Sequence, residues 1–190
     1  MNPEHVIAAT RLWLEKAVIG LNLCPFAKAV YVKELVRYVV SEAKHFDGFL
    51  QDIDDEIAFL AAADPEQVDT TLIMHAGLFE DFLDFNDFLD LVDHAVTELG
   101  HEGVIQVAAF HPQWQFADTE PDDIGNYTNR APFPTIHLLR EASVTRAVDA
   151  FPEAESIYER NIETLHKLGI AGWRALGLPD GRRCGESGRE

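Results

Sequence analysis

The sequence predicts an α/β domain, built on a mixed, mainly parallel sheet of about four strands with flanking helices; an α+β, ferredoxin-like arrangement is the alternative. Three observations lead there. Apolar residues alternate along the chain between helical spacing and short β-branched runs. Two strand-helix-strand successions follow one another, and each requires a right-handed crossover between parallel strands if the strands share a sheet. A fourth strand then follows the third without a helix, which keeps the α+β alternative open.

From Pro3 to about Leu21, Val6, Ala9, Trp13 and Ala17 run beside Ile7, Leu14, Val18 and Leu21, a broad apolar helix face, with Asn2 as N-cap and Pro3 at the first helical position. Pro25 disfavours a helical backbone at Cys24, so the cysteine falls in a bend. Leu35 to Val40 reads as the first strand. Phe49, Ile53, Ile57 and Leu60 return to helical spacing, and Thr70 to His75 is the second strand.

From Asp81, acids at every third position interleave with Phe82, Phe85, Leu89, Val92 and Val96, and Gly100 can end that helix. Val104 to Phe110 is the third strand, apolar enough to be expected at the sheet centre. Pro112 to Pro134 lacks periodicity and is long for a loop, a feature of functional segments. Thr135 to Leu139 is the fourth strand. Ser143 is expected to cap a helix through Phe151, and Pro152 to start another ending near Lys167 and Gly169, with Trp173 and Leu176 packing back onto the body.

With 190 residues and 47% hydrophobic side chains, one globular domain over residues 1–179 is expected, followed by a polar tail over 180–190. The formal net charge is -18, and the 85 residues from His45 through Asn129 contain no Lys or Arg against 20 Asp and Glu. Such a balance argues against nucleic acid as a partner, since neutralising phosphates needs surplus cations. No apolar run is long enough to span a membrane, and no targeting segment opens the chain. Two cysteines, Cys24 and Cys184, the second in the tail, fit the reducing cytoplasm.

Glu42, His75 and His111 follow or end the first three strands. If those strands are parallel, the three side chains share the rim where open α/β sheets bind ligands, and they could hold a metal or move protons. No metal-binding spacing supports them, so ordinary strand-end residues bonded to backbone are the competing reading. Cys24 could turn its sulfur towards the N–H groups of the following turn, which would lower its pKa towards a nucleophilic thiolate; the alternative is a buried structural thiol. Around Arg130, the prolines at 132 and 134 stiffen a stretch that also carries Asn126, Asn129, His137 and Arg140. A guanidinium held there could clamp a carboxylate or phosphate, or simply pair with Asp122 or Asp123. Strand alternation places Thr135, His137 and Leu139 on one face and Ile136, Leu138 and Arg140 on the other.

The strings Leu21-Asn22-Leu23-Cys24-Pro25-Phe26-Ala27, Phe110-His111-Pro112-Gln113-Trp114-Gln115-Phe116 and Asn129-Arg130-Ala131-Pro132-Phe133-Pro134-Thr135-Ile136-His137-Leu138-Leu139-Arg140-Glu141 resemble, in this order, a bacterial family catalogued as domain of unknown function 1415. The resemblance covers nearly the whole chain to about Pro179. It implies a single-domain bacterial protein and supplies no mechanism, cofactor or catalytic residue.

The expected function is that of a cytoplasmic enzyme acting on a small anionic metabolite, with Cys24, His111 and His137 in catalysis and Asn126, Asn129, Arg130 and Arg140 holding substrate. A metal- or haem-binding protein using Glu42, His75, His111, His137 or Cys24 is the first alternative. The second is a non-enzymatic protein that meets a basic partner through its acidic helix faces.

Overall fold

The computed structural model describes residues 1–151 and 154–179. Helix α1, Pro3–Trp13, starts as expected: Asn2 Oδ1 accepts the Glu4 N–H at 2.9 Å and Pro3 occupies the first turn. The helix then widens into a π-helical segment, Leu14–Ile19, closed by the Gly20 N–H on Glu15 O at 3.0 Å, five residues back. A Cβ on Gly20 would stand 2.4 Å from the Lys16 carbonyl oxygen, so only glycine fits this closure. The bend at Cys24 follows and leads into a short helix not anticipated from sequence, α2, Ala27–Val32.

Next come β1, Val36–Ser41; α3, Phe46–Ala62; β2, Thr70–His75; α4, Phe82–Glu98; and β3, Ile105–Phe110. Asp81 caps α4 by accepting the Leu83 N–H at 2.7 Å, and Gly100 ends it at φ 75°. The loop after β3 contains a 3₁₀ turn, Ile124–Asn129, before β4, Thr135–Arg140. Two further helices follow among the described residues, α5, Glu141–Asp149, and α6, Ile157–Ala175. Ser143 does not cap α5; its hydroxyl donates to Asp69 Oδ1 at 2.5 Å instead. The helix start expected at Pro152 falls outside the described residues. Helix α6 runs past Gly169, which bends it at φ 66°, and carries Trp173 back onto the body.

The sheet order is β1-β2-β4-β3. Among the described residues only β1 and β2 pair in parallel, while β4 is antiparallel to both neighbours, which corrects the expectation of a mainly parallel sheet. Lacking a crossover helix, β4 must return against β3, and it inserts between β3 and β2. The expected central strand β3 therefore lies at an edge, and β2, buried along its length, occupies the centre with β4. The three strands followed by a crossover or by the long loop, β1, β2 and β3, still point the same way, so Ser41, His75 and Phe110 end on one rim.

Each sheet face has its own core. Ile73, Ile105, Ala109, Ile136 and Leu138 pack against Phe49, Ile53 and Ile57 of α3 and Phe85, Phe88 and Val92 of α4. On the opposite face Leu72 and Met74 meet Val6, Ala9, Trp13 and Leu14. Alternation along β4 follows the sequence expectation, Ile136 and Leu138 entering the first core and His137 facing the other side.

Candidate functional site

The histidines at the strand rim spend their rings on structure. His75 Nδ1 accepts the N–H groups of Gly77 and Leu78 at 3.0 and 2.7 Å, so its Nε2 carries the proton and donates to Ala43 O at 3.0 Å. His111 repeats the device: Nδ1 accepts from Gln113 at 3.0 Å and Nε2–H donates to Phe79 O at 2.9 Å. Each ring also packs on a phenylalanine, Phe49 for His75 and Phe85 for His111. Burial pushes the His75 pKa down, keeping that ring neutral. Glu42 is exposed, and among the described residues no group of three metal-binding side chains gathers. The set Glu42, His75 and His111 is thus not assembled: both imidazoles are occupied by backbone.

The polar residues of the long loop are bound in the same manner. Asn126 is fully buried; its Oδ1 accepts from Phe116 N and Thr119 Oγ1, and its Nδ2 donates to Glu120 O, so it staples the loop upon itself. Asn129 reaches Ala109 O at 3.5 Å. The Arg130 guanidinium pairs with neither Asp122 nor Asp123. It donates to the carbonyls of Trp114 and Pro121 at 3.1 and 2.6 Å and lies over the Tyr127 ring. Arg140 ties the end of β4 to Ala63 O and Val68 O, and no carboxylate among the described residues bridges it.

Three residues singled out in the sequence, Cys24, His137 and Arg140, do meet in one place. Between the sheet face that carries Leu72 and the helices α1, α2 and α5 lies a cavity of about 340 Å³, within the size range of small-molecule sites. Its floor includes Leu72, Ala108, Phe110, His137 and Leu139; Trp13, Leu14 and Val18 form one wall, and Cys24, Phe26, Ala27 and Tyr31 another. Small side chains at Ala27, Ala108 and Ala147 leave the space between these larger ones. Polar groups, Asp69, Thr70, Gln106, Arg140 and Ser143, collect on the lining formed by the start of β2, the start of β3, the end of β4 and α5.

Packing fixes the wall groups. Trp13, 2% exposed, stands edge-on to Phe110 with ring centroids 5.0 Å apart, and Phe110 in turn lies 6.0 Å from the His137 ring. The π-helical segment turns Leu14 and Val18 towards the cavity. The Cys24 bend is anchored from two directions: the Leu23 N–H bonds to Val18 O at 2.9 Å, and Asn161 Nδ2 of α6 donates to Leu23 O at 2.8 Å. At the outer wall the Tyr31 hydroxyl donates to the Glu15 carboxylate.

His137 has a defined tautomer. Thr70 Oγ1 donates its single proton to Leu138 O at 2.6 Å, so towards His137 Nε2, also at 2.6 Å, it can only accept. The ring proton therefore sits on Nε2, and Nδ1 keeps a lone pair at the cavity wall with no hydrogen-bond partner among the described residues. Burial lowers the His137 pKa to about 4, so the ring is neutral at pH 7. For Cys24 burial is also the larger effect and raises the thiol pKa above its ordinary 9.0, against the lowering by the Phe26 and Ala27 N–H groups. The turn expected to point N–H groups at the sulfur does so, but desolvation outweighs it, and the expected thiolate is not favoured.

Sequence reasoning missed Thr70, Trp13 and Tyr31 as partners in this cavity. Only the register that sets Leu72 opposite His137 and Thr70 opposite Leu139 reveals the first of them.

A family model described as "Protein of unknown function (DUF1415)" matches residues 5–175, and the chain belongs to that family. No curated protein and no solved structure matches it. Among the described residues no helix is long and apolar enough to cross a membrane.

Proposed function

We propose that this member of the family binds a small molecule with a predominantly apolar body in the cavity between the sheet and helices α1, α2 and α5. The observation that carries the reading is the cavity itself: about 340 Å³ bounded mainly by Trp, Leu, Val, Ala and Phe side chains, with a few polar groups on one part of its lining. Apolar surface of this kind favours a ligand that removes it from water, while the scattered polar groups orient that ligand. Isothermal titration with 1-methoxynaphthalene, a neutral apolar probe, tests it. Saturable one-to-one binding with a negative heat-capacity change is expected; absence of saturable heat would sink the reading.

A second reading keeps catalysis on a small anionic metabolite, and one observation favours it: Cys24, His137 and the unbridged Arg140 line the same cavity. An anionic end would lie at Arg140, with Cys24 as attacking group and His137 as proton acceptor. The protonation states weigh against it. Burial raises the Cys24 thiol pKa and lowers the His137 imidazole to about 4, so each group favours its neutral form at pH 7. Binding without covalent chemistry is therefore the better-supported reading.

A further inference from the structure

We infer that the molecule held in this cavity carries a hydrogen-bond donor, a hydroxyl or an N–H, that is delivered to Nδ1 of His137; this inference rests on the proposed binding function and specifies the ligand's polar group. Thr70 has one hydroxyl proton, and Leu138 O takes it. His137 must then supply the proton of the Thr70–His137 bond from Nε2, and a neutral imidazole with its proton on Nε2 is an acceptor at Nδ1.

The surroundings do not satisfy that acceptor. The ring neighbours are Phe110, Leu72 and Leu139, and no described N–H or O–H reaches Nδ1. An acceptor left bare against apolar side chains is costly when a dry ligand replaces water there, so a ligand that brings its own donor is selected over one that does not. An acceptor group at the same place, such as an ether oxygen or a carboxylate, would face the Nδ1 lone pair and bind more weakly than a donor. Cys24, whose sulfur accepts from Phe26 and Ala27, keeps its own S–H as a weak donor on the opposite wall.

The test compares 1-naphthol, which carries the donor, with 1-methoxynaphthalene, which keeps the oxygen and lacks it, on the full chain and on His137→Phe. The wild-type protein is expected to bind 1-naphthol about five- to tenfold more tightly than the ether, the gain of one net hydrogen bond, and the variant to lose that preference. In parallel, ¹⁵N imidazole spectra of the wild-type protein should show an Nε2–H tautomer at His137 whose Nδ1 resonance moves with 1-naphthol and not with the ether, a readout independent of how the variant folds. Equal affinities with an unmoved Nδ1 resonance overturn the donor inference while leaving the cavity-binding reading intact. Failure of both compounds to bind overturns both.

Discussion

Thr70 and His137, side by side on two antiparallel strands, are joined at 2.6 Å by a hydrogen bond in which the hydroxyl can only accept, because its proton is already given to Leu138 O. That bond orients the imidazole and fixes its tautomer on the floor of an apolar cavity. Replacing Thr70 by Val removes both bonds and leaves the His137 Nε2–H without a partner, which should lower stability in urea unfolding by about 1–3 kcal/mol. Thr70→Ser, which keeps the hydroxyl, should recover most of it. Equal loss in both variants would mean that the methyl packing, not the proton arrangement, matters.

Stability should fall on mild acidification because of His137. Its folded pKa, about 4, lies below the ordinary 6.5, so between those values the unfolded chain binds a proton that the folded chain does not. The contribution is complete above pH 6.5 and is lost as pH falls towards 4, amounting to about 3 kcal/mol. His75, also lowered, acts in the same direction, so the comparison needed is wild type against His137→Asn across pH 4–7. Parallel curves would contradict the burial of a neutral ring.

Cys24 should behave as a shielded thiol. With Cys184→Ser to leave a single cysteine, iodoacetamide alkylation at pH 7 should be slow, and its rate should still be rising at pH 9, since burial holds the thiol pKa above 9.0. Occupation of the cavity by 1-naphthol should slow it further. A rate plateau below pH 8 would indicate a thiolate and favour the catalytic reading.

Asn126 should be a stability residue. Asn126→Ala truncates a fully buried side chain and leaves the Phe116 N–H and the Glu120 carbonyl without it, while the Thr119 hydroxyl retains Phe116 O, an expected cost of about 2–4 kcal/mol by urea unfolding. At temperatures where the variant stays folded, probe binding in the cavity should be retained within about threefold, since the cavity lining does not include this residue. Loss of binding with unchanged stability would contradict this assignment.

Much of the architecture was legible because periodicity reports local burial. The limits of β2, the cap at Asn2 and the alternation of β4 all follow from side-chain pattern and turn chemistry. Sheet order did not follow: the apolar run of β3 looks central, yet the strand is an edge whose exposed margin is set by β4 inserting beside β2. Local pattern cannot report which strand intrudes between two others. Of the candidate residues, Cys24 and His137 stood out by type, and their sharing of a cavity emerged only from tertiary packing. His75, His111, Asn126 and Arg130 stood out equally, but each is taken up by backbone groups from segments that sequence spacing does not connect. Thr70 was illegible as a site residue because its role depends on strand register.

The most direct test of the central claim fills the cavity from its floor. Ala108→Leu extends a side chain into the space beside Leu72 and His137 while keeping an apolar strand residue. The variant should remain folded and should bind 1-methoxynaphthalene at least about tenfold more weakly than the wild type by isothermal titration, with the probe's saturable heat present in the wild type. Undiminished binding in a folded Ala108→Leu protein would place the probe elsewhere and contradict the assignment of this cavity as the ligand site.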